Sequence, residues 1–537
     1  MYGAVDEKNP KMEDIAKEKE DLSASVNGHD GRHEPDSGTS VRQRRLTAPL
    51  VFATASAVIG SSLQFGFNTG VINNPKPVIQ DFFNETEERR SGEPMEDNRN
   101  EFLFATAVAI FAVGGMVGSL VAGPLADRLG RKGTLLLNNF IALVAALLMG
   151  LSKVAWSFEM LIIGRLVIGL NCGINTGIVP MYLSEVSPFN LRGAISVMNQ
   201  LGVTVGILLS QILGLPVLLG TDALWSVCLA FAAVPAVFQL LSLPFCPESP
   251  RYLLIIRDKQ KNAEKALVWL RGDSQIQDEI AEMRREYTEE QKEERISILQ
   301  LFTQAALRRP LVISIVMQLS QQLSGINAVL YYSSDIFITA GVPGDNAKYA
   351  TLSTGAVMVL MTIISVPLMD RSGRRLLHLI GLGTMTVAAA FLTGFLFLKD
   401  SWSPASYVSI VCVMFFTVGF AIGPGSIPWL IVAELFSQGP RPAAISIAFC
   451  VNWTANFAVG LLFPILQNAL QNYVFLIFIV LLVIFFVFTF FFVPETKNKS
   501  FEEISALFKD KSNKAEEAGL DGNSDGVRYS ALDTEEH

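Results

Sequence analysis

The sequence predicts an all-α membrane protein with twelve transmembrane helices in two six-helix halves and a cytoplasmic helical domain between them. Three observations carry this expectation. The 537-residue chain is 50% hydrophobic and only 17% charged, with a mean hydropathy of +0.38, whereas a soluble chain carries about 25% charged residues. Of its 42 Lys and Arg and 50 Asp and Glu, 71 fall in four polar blocks, at 1–48, 73–101, 247–309 and 494–537. Between the blocks lie apolar runs of roughly 20 residues, the length that crosses a hydrocarbon core. Finally, a set of charged loop motifs recurs in the same order in the second half of the chain.

The runs are 49–72, 101–123, 134–153, 158–181, 193–214, 223–244, 310–333, 347–369, 375–398, 405–432, 440–465 and 471–493. None alternates as a barrel strand does, and a backbone in lipid needs internal hydrogen-bond partners, so helices are expected. This divides the chain into an N-terminal tail (1–48), a first six-helix half (49–246), a linker domain (247–309), a second half (310–493) and a C-terminal tail (494–537). The first tail has the polar, mixed-charge composition of a disordered segment and no cleaved signal peptide. Residues 258–294 have amphipathic helical character and many acid–base pairs, which reads as a helical cover.

Orientation follows from the basic residues of the short loops. One side holds Arg128, Arg131, Lys132, Arg192, Arg371, Arg374, Arg375 and Arg441, and shares that side with both termini and with Arg42, Arg44 and Arg45. The other holds only Lys153, Lys348 and Lys399. Both termini are therefore expected in the cytoplasm and the 73–100 loop outside. That loop contains Asn84-Glu85-Thr86, a glycosylation acceptor whose context fits the charge rule. The same pattern at Asn452 and Asn498 falls in a span and a cytoplasmic tail, which shows how little the motif means alone.

Composition excludes several functions. The net charge of −8 arises mostly in solvated loops and points to no nucleic-acid partner. The five cysteines lie in or beside apolar runs, at spacings that fit neither a disulfide framework nor a zinc site. None of the four histidines is read as lying inside an apolar run, so neither a metal centre nor a histidine proton relay is expected. No cofactor site is expected either. An enzyme is disfavoured, since no nucleophile–base constellation or phosphate-cradling loop occurs in the spans.

The repeat is specific. Asp127-Arg-Leu-Gly-Arg-Lys132 recurs as Asp370-Arg-Ser-Gly-Arg-Arg375; Glu185, seven before Arg192, recurs as Glu434, seven before Arg441; Pro247-Glu-Ser-Pro-Arg251 is echoed by Pro494-Glu-Thr-Lys497. The offsets are 243, 249 and 247 residues. Two duplicated membrane halves imply alternating access to a site between them, and hence transport.

These motifs resemble a known family. Gly123-Pro-Leu-Ala-Asp-Arg-Leu-Gly-Arg-Lys132 resembles the loop signature of the major facilitator superfamily, and the Pro-Glu-Ser-Pro-Arg and Pro-Glu-Thr-Lys sequences mark its sugar-porter branch. Gln318-Leu-Ser-Gln-Gln-Leu-Ser-Gly-Ile-Asn-Ala-Val-Leu-Tyr-Tyr332 is similar to the seventh span of animal facilitative glucose transporters of the class with the Gln-Leu-Ser motif. So are Ile427-Pro-Trp429 and Ala433-Glu-Leu-Phe-Ser-Gln-Gly-Pro-Arg-Pro-Ala443. The resemblance covers about residues 49–500. It implies the major facilitator fold and passive uniport of D-glucose, with other hexoses as further candidates, across the plasma membrane; oligomeric state stays open.

A neutral, hydroxyl-rich sugar suits side-chain amides, which both donate and accept. Gln318, Gln321 and Gln322 lie near the middle of the seventh run, with Asn327 beyond Gly325, a residue that permits local unwinding. Gln200 lies in the fifth run, and Asn452 and Asn456 lie four apart on one face of the eleventh. Intramembrane amides also link helices, the plainer reading for any one of them. The resemblance places Gln200, Gln321, Gln322, Asn327, Trp429 and Asn456 on the sugar, with Gln318, Asn68 and Asn452 in selectivity or support. It implies that Tyr331 and Tyr332 close the external side, although aromatics at a span end also serve as interfacial anchors. Gly423-Pro-Gly425 and Pro428 fit a broken, hinging helix. Arg128, Glu185, Arg192, Arg375, Glu434 and Arg441 read as a cytoplasmic gate whose charges pair across the halves when that side is closed.

Two departures from the resemblance concern selectivity. Met358 stands where glucose facilitators usually have Asn, and Ala421 where they usually have Glu, so a broader hexose or fructose preference is the alternative. Coupling to protons needs an ionisable group in the spans. Similar proton-coupled porters carry Asp where this chain has Asn68, and Arg165, the charge deepest in a span, is expected to bond to backbone or amides. A non-transporting sugar sensor is the other alternative, but such receptors usually carry far longer tails than this one.

Overall fold

The computed structural model describes residues 45–504, apart from 294–295, 400, 403, 438, 498 and 500–502. Most of both predicted tails therefore lies outside the described residues, as does Asn498. Among the described residues the secondary structure is helical. The first half comprises α1 (Ala48–Gly70, with a π-helical turn at Val58–Ser62), α2 (Lys76–Ser91), α3 (Asp97–Leu129), α4 (Arg131–Leu151), α5 (Phe158–Val186), α6 (Arg192–Leu213), α7 (Trp225–Ala230) and α8 (Ala233–Ser242). Among the described residues of the linker, a π-helical turn at Tyr252–Ile256 is followed by three α-helices: α9 (Gln260–Arg271), α10 (Gln277–Lys292) and α11 (Ile298–Thr303). The second half comprises α12 (Ala305–Gln322), α13 (Ile326–Thr339), α14 (Gly344–Ser372), α15 (Arg374–Leu398), α16 (Ala405–Ile422), α17 (Ile427–Leu435), α18 (Arg441–Leu470) and α19 (Val474–Phe492).

All twelve apolar runs fall on helix, yet among the described residues ten helical stretches are long and apolar enough to cross a membrane unaided. The difference lies in two places. The stretch Arg441–Phe492 holds both α18 and α19, joined by a 3-10 turn at Gln471–Tyr473. The seventh run is divided: α12 ends at Gln322 and α13 starts after Gly325, whose φ of +97° is left-handed. A side chain there would be strained, and an added Cβ would also meet the Phe478 ring at 2.9 Å. The tenth run breaks between α16 and α17 across Gly423-Pro-Gly425, as its composition predicts. An added helix not foreseen, α2, fills much of the 73–100 loop.

Within the first half, α3 and α5 pack backbone to backbone. A Cβ at Gly169 would lie 2.1 Å from the Phe111 carbonyl, and one at Gly118 would lie 2.2 Å from that of Leu170. Small residues at such spacing let helices touch where lipid offers no hydrophobic drive. The halves meet along two seams, α3 against α18 and α6 against α14. In the first, the Trp453 ring sits where a Cβ of Gly115 would be, edge-on to Phe65 and Phe111. In the second, Gln211 Nε2 donates to Thr354 Oγ1 at 3.2 Å.

Candidate functional site

The two helix breaks of the second half meet at one amide cluster. Gln321 Nε2 donates to the Pro424 and Gly425 carbonyls at 2.8 and 2.7 Å, which are freed by the break after α16. Its Oε1 accepts from Asn452 Nδ2 at 2.6 Å and from Gln322 Nε2 at 3.2 Å. Asn452 Nδ2 also donates to Gln318 Oε1 at 2.7 Å, and Gln322 Nε2 to Asn452 Oδ1 at 2.9 Å. Asn327 Nδ2 closes the chain onto Gln322 Oε1. One turn along α18, Asn456 Oδ1 accepts from the Tyr331 hydroxyl at 3.0 Å. These amides are nearly buried, so each unmet donor or acceptor is costly.

Gln321 is therefore saturated within the protein, whereas other members keep free valence. Gln318 Nε2 is buried without a partner. Gln200 on α6 is half-buried and its side chain engages no described residue. The same is true of the Trp429 indole nitrogen, whose ring packs 5.2 Å from Phe449. An array of uncharged donors and acceptors, part braced and part free, is suited to a neutral polyhydroxylated ligand. Met358 is buried in the main apolar cluster together with Ile326 and Tyr331. Ala421 is half-buried two residues before Gly423.

Above the cluster, the side carrying Asn73 is closed. Tyr332, at a kink within α13 (φ −136°, ψ 20°), donates to the Gly460 carbonyl at 2.8 Å. Asn73 Nδ2 donates to the Leu330 carbonyl at 3.0 Å and Ser333 Oγ at 2.7 Å, joining the first half to the second.

On the side carrying the basic loops, the three repeated motifs converge in each half. Glu185 takes two bonds from the Arg131 guanidinium at 2.8 and 2.9 Å and one from Ser249 Oγ. Glu248 Oε1 caps the start of α4, accepting from the backbone N–H groups of Arg131 and Lys132 at 3.0 Å each. The second half copies this arrangement. Arg374 Nε donates to Glu434 at 3.2 Å, Thr496 Oγ1 donates to Glu434, and Glu495 accepts from the backbone N–H groups of Arg374 and Arg375. A carboxylate at a helix start meets unpaired N–H groups and the positive end of the dipole.

In this conformation Glu185 and Glu434 thus pair inside their own halves, with Arg131 and Arg374. The arginines named from sequence lie elsewhere. Arg128 is exposed and offers its carbonyl to Arg257, while the Arg375 side chain turns to the Phe490 carbonyl and ring. Arg192 sits 5.7 Å over Phe189, and Arg441 donates to the Phe436 carbonyl. The repeat itself held the signal, because Arg131 and Arg374 are related by the same 243-residue offset as the motif.

Two further outcomes concern buried polar groups. The expectation that no histidine lies inside an apolar run is corrected: His378 is fully buried on α15, with Nε2 3.1 Å from Ser320 Oγ of the Gln-Leu-Ser segment. It stands one turn past Arg374, already within the apolar run 375–398. Arg165 bonds to the carbonyls of Ala107 and Asn68 at 3.2 and 2.9 Å and lies 4.7 Å from the Phe111 ring centre, as its isolation in the spans predicts. Sequence reasoning missed a second buried network in the first half, where Gln239 Oε1 accepts from Asn139 Nδ2 and Ser61 Oγ. Asn84 lies on α2, with Oδ1 accepting from Met95 N and its amide nitrogen unengaged.

Comparison with known proteins agrees with this architecture. The family described as sugar (and other) transporters matches residues 53–508. Facilitated glucose transporter member 3 of solute carrier family 2 from Ovis aries is 51% identical over 465 residues, covering 87% of this chain and 94% of its own length. Its human counterpart is 49% identical over 479 residues (89% and 96%), and human member 14 is 49% identical over 477 residues (89% and 91%). Among solved structures, the xylose transporter XylE from E. coli, partially occluded and inward open, superposes with a TM-score of 0.71 at 24% identity, covering 84% of this chain and all of that one. The match runs through the motifs that recur between the two halves of the chain, and the chain belongs to the sugar transporter family, as a multi-pass membrane protein and not an enzyme.

Proposed function

We propose that this chain is a facilitative hexose transporter that carries D-glucose passively across the plasma membrane by alternating access, with both termini in the cytoplasm. The observation that carries the reading is the amide cluster of α12, α13 and α18 at the two helix breaks. It is uncharged, partly unsatisfied and built within the second half on α18, the helix that packs against α3 of the first half. Gln200, Gln321, Gln322, Asn327, Trp429 and Asn456 form the sugar site, with Gln318 and Asn452 beside it. Tyr331 and Tyr332 close the outer side. The Glu185 and Glu434 networks, with Arg192 and Arg441 at the loop ends, bias the inner side. About half of the sequence is shared with facilitated glucose transporters over nearly their whole length, which supports the same substrate class.

Passive transport follows from the neighbourhood of Arg165, whose polar partners are backbone carbonyls, beside an Asn68 that cannot titrate. Labelled D-glucose in proteoliposomes should therefore equilibrate to equal concentration on both sides, without proton movement in a pH-dye assay. Accumulation above the external concentration would overturn the uniport reading, and absence of hexose uptake would overturn the function itself. Met358 and Ala421 favour a second reading of wider hexose tolerance, because apolar groups stand at two positions where the resemblance implies polar ones.

A further inference from the structure

A charged triad crosses between the halves on the closed side. Lys76 Nζ lies 2.8 Å from Glu101 Oε1 and 2.7 Å from Asp335 Oδ2, with side-chain exposures of 11%, 22% and 26%. The ammonium also lies 5.4 Å from the Phe104 ring centre and 5.6 Å from that of Tyr332. Burial opposes the charged form of Lys76, but Asp335 and Glu101 outweigh it and hold its pKa above the ordinary lysine value. Lys76 opens α2 and Glu101 lies in α3, both in the first half, while Asp335 lies in α13 of the second.

We propose that Lys76 is an ionic latch for the outer side, with Asp335 as its releasable partner and Glu101 as its retained one. The inference rests on the alternating-access reading above. Parting the halves here must break Lys76–Asp335, together with the neighbouring Asn73 bonds to α13. It need not disturb Lys76–Glu101, because both residues move with the first half. The lysine is therefore never left unpaired in a low-dielectric site, which would make opening prohibitive. Glu101 competes with Asp335 for one ammonium and so moderates the latch.

This division of labour gives opposite signs to two chemically similar changes. Asp335→Asn removes the cross-half charge and should raise the open-to-closed ratio of the outer side by roughly tenfold, the scale of one charge-assisted hydrogen bond. Glu101→Gln leaves Lys76 to Asp335 alone and should hold that side closed at least as firmly. Hydrogen exchange of the full chain in lipid nanodiscs reads both. For Asp335→Asn, exchange should rise in peptides covering 326–339 and fall in those covering the inner loops 187–192 and 436–441; for Glu101→Gln it should not rise in 326–339. If Asp335→Asn does not fold, Lys76→Gln carries the same expectation, since it leaves two carboxylates facing each other. Unchanged exchange in the cross-half variant, or an equal rise in both Asp335→Asn and Glu101→Gln, would overturn the latch. Hexose uptake by the unchanged protein tests the transport reading separately, because the exchange measurement needs no sugar.

Discussion

Gln321→Leu tests the centre of the proposed site. Leucine keeps similar volume and helix propensity but removes two donors and an acceptor. Four bonds are lost: those to the Pro424 and Gly425 carbonyls at 2.8 and 2.7 Å, and those from Asn452 and Gln322 at 2.6 and 3.2 Å. The half-buried Gly425 can recruit water, whereas the Pro424 carbonyl and the Asn452 amide lie in buried surroundings. Two groups stranded at about 1–2 kcal/mol each give about 2–4 kcal/mol against the transport-competent geometry, on the order of 10²-fold. The assay is initial uptake of labelled D-glucose by proteoliposomes, normalised to incorporated protein, with thermal unfolding measured in parallel. We expect monodisperse protein with a lower Tm and uptake reduced at least tenfold. Uptake within twofold of the unchanged chain, at equal incorporation, would refute the reasoning that this amide braces the helix break for the sugar.

Three further outcomes are expected. Met358→Asn combined with Ala421→Glu should shift the glucose-to-fructose uptake ratio toward glucose by about two- to tenfold for each added contact, each contributing about 0.5–1.5 kcal/mol; unchanged selectivity at normal surface levels would show that these positions do not tune the substrate. Gly325→Ala places a Cβ 2.9 Å from the Phe478 ring at a φ of +97° and should lower Tm and impair uptake, with a cost of about 1–3 kcal/mol. Phe478→Ala added to it should restore only part of the loss, since the backbone strain remains, and full restoration would place the cost in the clash alone. Enzymatic deglycosylation of protein expressed in animal cells should shift its gel mobility, and Asn84→Gln should abolish that shift; a shift that persists would move the glycan to another residue.

The seventh and tenth runs show how much of the helix geometry was legible. Gly325 and Gly423-Pro-Gly425 predicted breaks from composition alone, because φ restrictions are local properties that a linear sequence displays. Other features were not legible. Asn452 emerged as the hub joining Gln318, Gln321 and Gln322, although its spacing showed only that it shares a face with Asn456. His378 already falls within the apolar run 375–398, and the structure buries it against Ser320. Which side chain it would meet depends on how α15 packs against α12, which hydropathy does not encode.

By itself, the sequence determined the membrane environment, the duplicated halves, the helix breaks and the uncharged chemistry of the candidate site. These follow from segment length, residue type and period, and each is a property of one stretch of chain or of two stretches compared. Only the tertiary structure decided which side chains meet. Glu185 meets Arg131, Ser249 joins them, and Glu248 caps α4 beside them, across 117 residues of sequence from Arg131 to Glu248. Lys76 finds Asp335 across 259 residues. Pairing of this kind depends on how helices tilt and rotate as they pack, and those angles come from the joint fit of many side chains, which no single segment contains.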